Sequence, residues 1–291
     1  MLVGLLVSLS VAASPQSLHV TVNGSIEASL SSLSPRGQSV LAAQVARLLR
    51  WRGDIVKNVH RGDSLNVLYE AGTGTEELEL VAMSYRGSQI NLSAYRFAGP
   101  DGIARYWDEN GQLVEPTVIN APVERYVQIT ETVQHGRGKR PHAGLDFKAP
   151  EGTPVRLPFA ATVTRVNWSR RVNGNCIELE LPNGRILHFL HLARIAPEVK
   201  PAAALQPGTP LGEVGTTGHS NAPHLHYEIL EPDGHPLEPM DVHGTGTMSL
   251  GPETLPAFQA ARAAFDRSLA QGIARTEPAP RAAEPQSTPA R

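Results

Sequence analysis

Cysteine is almost missing from this chain. Cys176 is the only one in 291 residues, which excludes an internal disulfide and any thiolate-based zinc cluster. An excess of one charge sign is missing too: 26 Lys and Arg stand against 28 Asp and Glu, for a net charge of −2. That balance gives no electrostatic footprint for nucleic acid. Aromatic residues make up only 5%, so the cores must be built from Val, Leu, Ile and Ala. No apolar run reaches the roughly 20 residues that a membrane-crossing helix takes. The longest is LVGLLVSLSVAA, Leu2 to Ala13, which ends in small residues before Ser14. It reads as the hydrophobic part of an export signal with its cleavage site, although a basic segment ahead of it is absent. The expectation is an exported protein of the periplasm or cell envelope.

Turn formers are plentiful, with 26 Gly and 24 Pro, and they point to a β-rich, mainly antiparallel architecture. Residues 18–30 alternate polar and apolar around Asn23-Gly24, a strong hairpin signal. Pro35 to Trp51 carries Val40, Leu41, Val45, Leu48 and Leu49 at helical spacing. Strand-like runs follow at HRGDSLNVLYEAG, ELELVAMSY and INLSAYRF, and YWDENG at 106–111 reads as a turn. From about residue 125 onward, short strands alternate with Pro and Gly, which favours an antiparallel sheet over a parallel α/β fold. The expected division is a signal peptide or anchor remnant at 1–14, a small α+β accessory domain at 15–124, and a second domain at 125–245. A helix at 253–271 and a disordered Pro-rich tail at 275–291 then fill the segment 246–291.

Histidine is the residue whose distribution is uneven: nine of the eleven lie between His135 and His243. Three pieces stand out. The first is HAGLD, with His142 and Asp146; the second is HFLH, with His188 and His191; the third is HLH, with His224 and His226, preceded by the Gly-rich VGTTGHSNAP. Side chains two apart on a strand share a face, which would hold His224 and His226 about 7 Å apart at Cα. Imidazole and carboxylate suit zinc, and a catalytic zinc usually keeps three protein ligands and an open position. Any one piece alone is better explained as ordinary strand polarity; the three together favour a metal site.

HAGLDFKAPEGTPV (142–155), GRILHFLHL (184–192) and GEVGTTGHSNAPHLHYEI (212–229) resemble, in this order and spacing, the motifs of the lysostaphin-type (LytM-like) zinc metallopeptidases. That family cleaves peptide cross-links in bacterial peptidoglycan, and the likeness covers roughly residues 125–241. The region LLRWRGDIVKNVHRGDSLNVLYE (48–70) resembles, less specifically, the domain ahead of the peptidase in envelope-anchored Gram-negative members. The resemblance implies Zn2+ held by His142, Asp146 and His226, with His191 and His224 as the two catalytic histidines that are not ligands. It also implies peptidoglycan as substrate, and it leaves room for an activating envelope protein. Two departures are visible: ETVQHGRGKRP (131–141) is short and lacks the family's aromatic residue, and His188 stands where a neutral polar residue is usual.

Several rival readings carry less. Gly218 to Ala222 nearly matches a G-x-S-x-G nucleophile elbow, yet Pro223 and a strand follow where a helix is needed. Cys176 within a strand-like run reads as a small apolar filler, and Gly72 to Thr75 as a hairpin turn without the lysine of a phosphate loop. His188 reads as an outward polar residue or a substrate contact, and His219 as loop-exposed. The main alternative function is a non-catalytic regulator on the same scaffold, or a wall-binding protein that activates another hydrolase. The presence of His142, Asp146, His191, His224 and His226 together argues for an enzyme.

Overall fold

The computed structural model describes residues 15–72, 78–134 and 142–276. The leader, the Thr73-Gly74-Thr75 segment, most of the run before His142 and the Pro-rich tail from residue 277 lie outside these residues. By compactness the chain divides into one unit of Met1–Ala46, Arg52–Ser93 and Ala260–Arg291, and another of Arg47–Trp51 and Ala94–Gln259. Residues 94–124, grouped by sequence with the accessory region, cluster with the second unit.

In the first unit, β1 (Gln16–Thr21) pairs antiparallel with β2 (Ser64–Ala71), and β2 with β3 (Leu78–Arg86). The hairpin expected around Asn23-Gly24 is not formed. Ser25 instead caps a short helix, Ile26–Ser29, by accepting the Ala28 N–H, while Ile26 and Leu30 turn inward and are buried. Local capping and apolar burial override the turn signal, and β1 takes its partner from more than 40 residues downstream. The helix Pro35–Leu49 forms as its spacing predicts, with Leu41, Val45, Leu48 and Leu49 buried.

β4 (Asn91–Ala98) continues into the second unit, where Tyr95 to Ala98 pair with β5 (Ala104–Trp107). The fully buried Trp107 donates its indole N–H to the Phe97 carbonyl at 3.0 Å. Phe258, on the helix Leu255–Thr276, packs edge-on against Tyr95 and Phe97. The expected turn at 106–111 forms around Asp108, whose carboxylate accepts the N–H groups of Asn110 and Gln112.

After the short β6 (Thr117–Val118), the remaining strands build the frame of the site. They are β7 (Gln128–Glu131), β8 (Leu145–Lys148), β9 (Pro154–Arg156), β10 (Ala161–Val166), β11 (Asn175–Glu180) and β12 (Ile186–Leu192). Next come β13 (Arg194–Ile195), β14 (Ala204–Leu205), β15 (Pro210–Glu213), β16 (His224–Leu230) and β17 (Pro236–Leu237). The main sheet has the order β14-β10-β11-β12-β16-β8-β7, with β17 also on β16, and β13-β15-β9 form a second, three-stranded sheet. Every pairing is antiparallel, as the Pro- and Gly-separated strand pattern implied.

One face of the main sheet is apolar: Leu145, Phe147, Phe189, Leu225, Tyr227 and Ile229 are fully buried. Each such side chain contributes about 1.5–3 kcal/mol by leaving water. Because side chains alternate along a strand, burying those residues forces Asp146, His188, His224, His226 and Glu228 onto the opposite face. Among the described residues no helix is long and apolar enough to cross a membrane.

Candidate active site

Strand register assembles the site. Asp146 on β8 lies directly opposite His226 on β16, Glu131 on β7 lies opposite Asp146, and Leu190 on β12 lies opposite His226. His142 sits just ahead of β8 and reaches the same place. One ligand atom from each of His142, Asp146 and His226 falls within 4.8 Å of the others. These are the three residues expected to hold the metal.

Hydrogen bonds on the outer side of each ring decide which nitrogen faces inward. His142 donates from Nδ1 to the Thr132 carbonyl at 3.0 Å, so its Nε2 presents a lone pair. His226 donates from Nε2 to Glu228 Oε1 at 2.8 Å, so its Nδ1 presents one as well. The two inward nitrogens stand 3.1 Å apart, and Asp146 Oδ1 lies 3.2 Å from His142 Nε2 and 2.8 Å from His226 Nδ1. Three electron-pair donors converging at such distances repel unless a cation sits among them. Two imidazoles and one carboxylate form a donor set that suits zinc, with one coordination position left open.

The ionisation of these groups bears the same mark. Burial opposes charge on both rings, but the Asp146 carboxylate beside them prevails, holding His142 above its ordinary value and raising His226 to about 9. Burial likewise pushes Asp146 up, and in the metal-free protein the protonated His142 and His226 rings beside it more than reverse this, leaving it below the usual carboxylate range. A pH dependence of opposite sign with and without metal follows. Without metal, the raised His226 value stabilises the fold below the ordinary histidine range, and that contribution is lost as pH rises through about 9. Zinc needs neutral rings, so its affinity should weaken on acidification below about 9, by up to about tenfold per pH unit for each proton displaced. Thermal melting of metal-free protein and zinc titration, each across neutral pH, check the two slopes; parallel slopes would contradict this picture.

His224 and His191 stand alongside. His224 shares the face of His226, as their two-residue spacing predicts, and its Nε2 lies 3.9 Å from Asp146 Oδ2. Its Nδ1 donates to the Ala222 carbonyl at 2.8 Å, which leaves Nε2 as an acceptor. The His191 ring is centred 4.9 Å from that of His224 and 6.0 Å from that of His226. Strict alternation would turn His191 into the core, since Phe189 two residues earlier is buried there. The backbone at His191 instead has φ = 63°, in the left-handed region, where the β11–β12 register also shifts. A local kink re-aims this side chain into the site. Its Nδ1 donates to the Thr217 carbonyl at 2.9 Å, and burial, countered by that bond, lowers its value to about 4, so the ring stays neutral with Nε2 as acceptor.

Gly144, between His142 and Asp146, lies just ahead of β8 with its backbone close against β16. A Cβ there would stand 2.5 Å from the Tyr227 carbonyl oxygen and 3.0 Å from His226 Nε2. Gly144→Ala should therefore lower stability by about 1–3 kcal/mol and weaken zinc binding together, as read by melting temperature and metal titration. A variant that melts and titrates like the parent would show that the strands can part without disturbing the site.

The rival sequence readings resolve simply. Ser220 sits in a bend leading into β16, and the His224 nitrogen near it already donates to a carbonyl, so no elbow nucleophile is assembled. Cys176 is buried, with its thiol on the Trp168 carbonyl at 3.3 Å, and burial pushes that thiol up. His219 is exposed. His188 is neither an open surface residue nor turned toward the metal donors: it is held between Glu228 and Glu178 at 2.6 and 2.9 Å. Sequence reading missed Glu228, although it lies two residues beyond His226 and continues the same alternation.

Comparison with known proteins bears on these residues directly. Residues 140–239, which contain all five site residues, match the model of Peptidase family M23. Peptidoglycan DD-endopeptidase ShyA of Vibrio cholerae is 28% identical over 240 residues, covering 78% of this chain and 54% of the relative. DD-carboxypeptidase/endopeptidase Mpg of Neisseria meningitidis is 33% identical over 132 residues, covering 45% of this chain and 29% of the relative. Among solved structures, a zinc-containing peptidase from Vibrio cholerae is 26% identical, with a TM-score of 0.38, covering 79% of this chain and 72% of that one. The chain spans about half the length of the curated relatives that match most of it. The match falls on the segment that carries the converging donors, so residues 140–239 of this chain are similar to peptidase family M23.

Proposed function

We propose that this protein is a zinc-dependent endopeptidase that hydrolyses peptide cross-links of bacterial peptidoglycan in the cell envelope. The observation that carries the reading is the convergence of His142 Nε2, Asp146 Oδ1 and His226 Nδ1 on one point, with the acceptor nitrogens of His191 and His224 beside it. The names of the relatives support the substrate class, and three of them are named DD-endopeptidases of peptidoglycan.

When bound, zinc supplies a Lewis acid that polarises a carbonyl and acidifies water at neutral pH. The remaining work falls to this chain's own groups. His142 and His226 are fixed in the metal-binding tautomer by Thr132 and Glu228. His191, kept neutral and with Nε2 unprotonated, is suited to take a proton from attacking water. His224 has the same tautomer and, once protonated, can donate from Nε2 to a developing oxyanion or to the leaving amine. Thr217 and Ala222 hold both rings through backbone carbonyls, so the orientation of the pair depends on the loop ahead of β16 rather than on another titratable side chain.

The test is to measure bound zinc and the hydrolysis of purified cross-linked muropeptides by the same preparation. One zinc per chain, cleavage of cross-linked dimers to monomers, and loss of cleavage on chelation with recovery on adding zinc would establish the reading. A chain that binds zinc and leaves cross-links intact, yet stimulates a second wall hydrolase, would establish the regulator instead.

A further inference from the structure

A second row of polar residues runs across the sheet beside the row that carries the metal donors. Four neighbouring strands each contribute one member at directly opposed positions: Arg165 on β10, Glu178 on β11, His188 on β12 and Glu228 on β16. Their side chains are joined end to end. Arg165 donates from Nε and Nη2 to Glu178 Oε2 at 2.9 and 2.6 Å, and Thr164 donates to Oε1 of the same carboxylate at 2.7 Å. His188 donates from Nε2 to Glu178 Oε2 at 2.9 Å and from Nδ1 to Glu228 Oε2 at 2.6 Å. The other oxygen of Glu228 accepts from His226 Nε2 at 2.8 Å. The row thus ends on a metal donor.

Three features separate this arrangement from an ordinary charged row on a sheet. The side chains of Glu178, His188 and Glu228 are each only 13% exposed, so solvent screens them little. Trp168 covers His188 at 5.1 Å between ring centres and is itself covered by the Arg165 guanidinium at 4.4 Å, which fixes the outer end. Most tellingly, Glu228 spends one oxygen on each histidine, so its rotamer is set by His188 as much as by His226.

We propose that His188 is a positioning residue for the metal site, acting through Glu228 to hold the His226 ring with Nδ1 directed at the metal. This rests on the zinc reading above and extends it to residues outside the ligand set. A metal-ligating imidazole is oriented and made more basic by the carboxylate on its other nitrogen, and loss of such a partner typically weakens metal binding by 10–100-fold. Here that carboxylate is itself held by a second histidine, whose far side is locked by Glu178, Arg165 and Trp168.

Chelator-competition measurement of zinc affinity on the full chain tests this with a double-mutant cycle, alongside the melting temperature of the metal-free proteins. His188→Leu keeps bulk and removes both donors; it should weaken zinc binding about tenfold. In a Glu228→Ala background, itself weakened 10–100-fold, the same change should have no further effect, because its route to the metal is gone. His188→Gln, whose amide can still donate to Glu228, should recover most of the affinity. A purely structural row would lower the metal-free melting temperature in every variant while zinc affinity stayed within twofold of the parent, or would give equal losses in both backgrounds; either result overturns the proposal. If His188→Leu fails to fold, His188→Met carries the same cycle: weakening of about tenfold in the parent background and none in Glu228→Ala supports the relay, and parental affinity overturns it. A parent chain that takes up no zinc would instead overturn the zinc reading itself.

Discussion

Asp146→Ala is expected to leave the chain unable to retain zinc through gel filtration and unable to hydrolyse cross-linked peptide, a loss of about three orders of magnitude or more in turnover. Asp146 is the only anionic member of the donor set, and it touches both imidazoles, at 3.2 and 2.8 Å. Removing it strips the site of its negative charge and of one of its three converging donors. Asp146→Asn separates these contributions, since the amide keeps the shape and one acceptor oxygen while losing the charge. It should bind zinc far more weakly than the parent and yet fold. A full zinc equivalent in Asp146→Ala would mean that the ligands lie elsewhere.

His191→Ala and His224→Ala should behave in the opposite way, keeping one zinc per chain while turnover falls by roughly two to four decades, the range expected for losing an acid–base group. Neither ring donates to the converging point. Each turns its Nδ1 to a backbone carbonyl and leaves Nε2 for substrate or water. Because the His191 value is depressed to about 4, His191 is in its working state throughout the neutral range, so its loss should lower the rate without moving a neutral-pH limb. Near-parental turnover in either variant would remove that residue from the reaction. Loss of zinc in either would move it into the ligand set.

Much of the site was legible before any fold was known, and the reason is geometric. A two-residue spacing on a strand guarantees a shared face, so HLH could be read as a pair, and HAGLD supplied a carboxylate and an imidazole four residues apart. His191 was accessible only through family resemblance, because its placement depends on a left-handed backbone angle of 63° that breaks the alternation. The link between His188 and Glu178 was not legible at all, because it depends on the register between β11 and β12, which no single strand reveals. Glu228 could have been found by carrying the HLH alternation one step further. The Asn23-Gly24 segment failed for a different reason: Ser25 could cap a helix as readily as the pair could form a turn, and burial of Ile26 and Leu30 decided between them.

The pairing of β8 with β16 has one more consequence. His226 faces Asp146 in the same register that sets Tyr227 against Leu145 and Leu225 against Phe147 in the interior. A slip of β16 by one residue would turn it over, driving His224, His226 and Glu228 into oil and Leu225, Tyr227 and Ile229 into water. No partly correct pairing can therefore cut a substrate: a chain either has its interior right and its donors gathered, or has neither. For the proposed activity on the wall polymer, this makes correct folding itself the safety catch, released only when the sheet has closed in its one workable alignment.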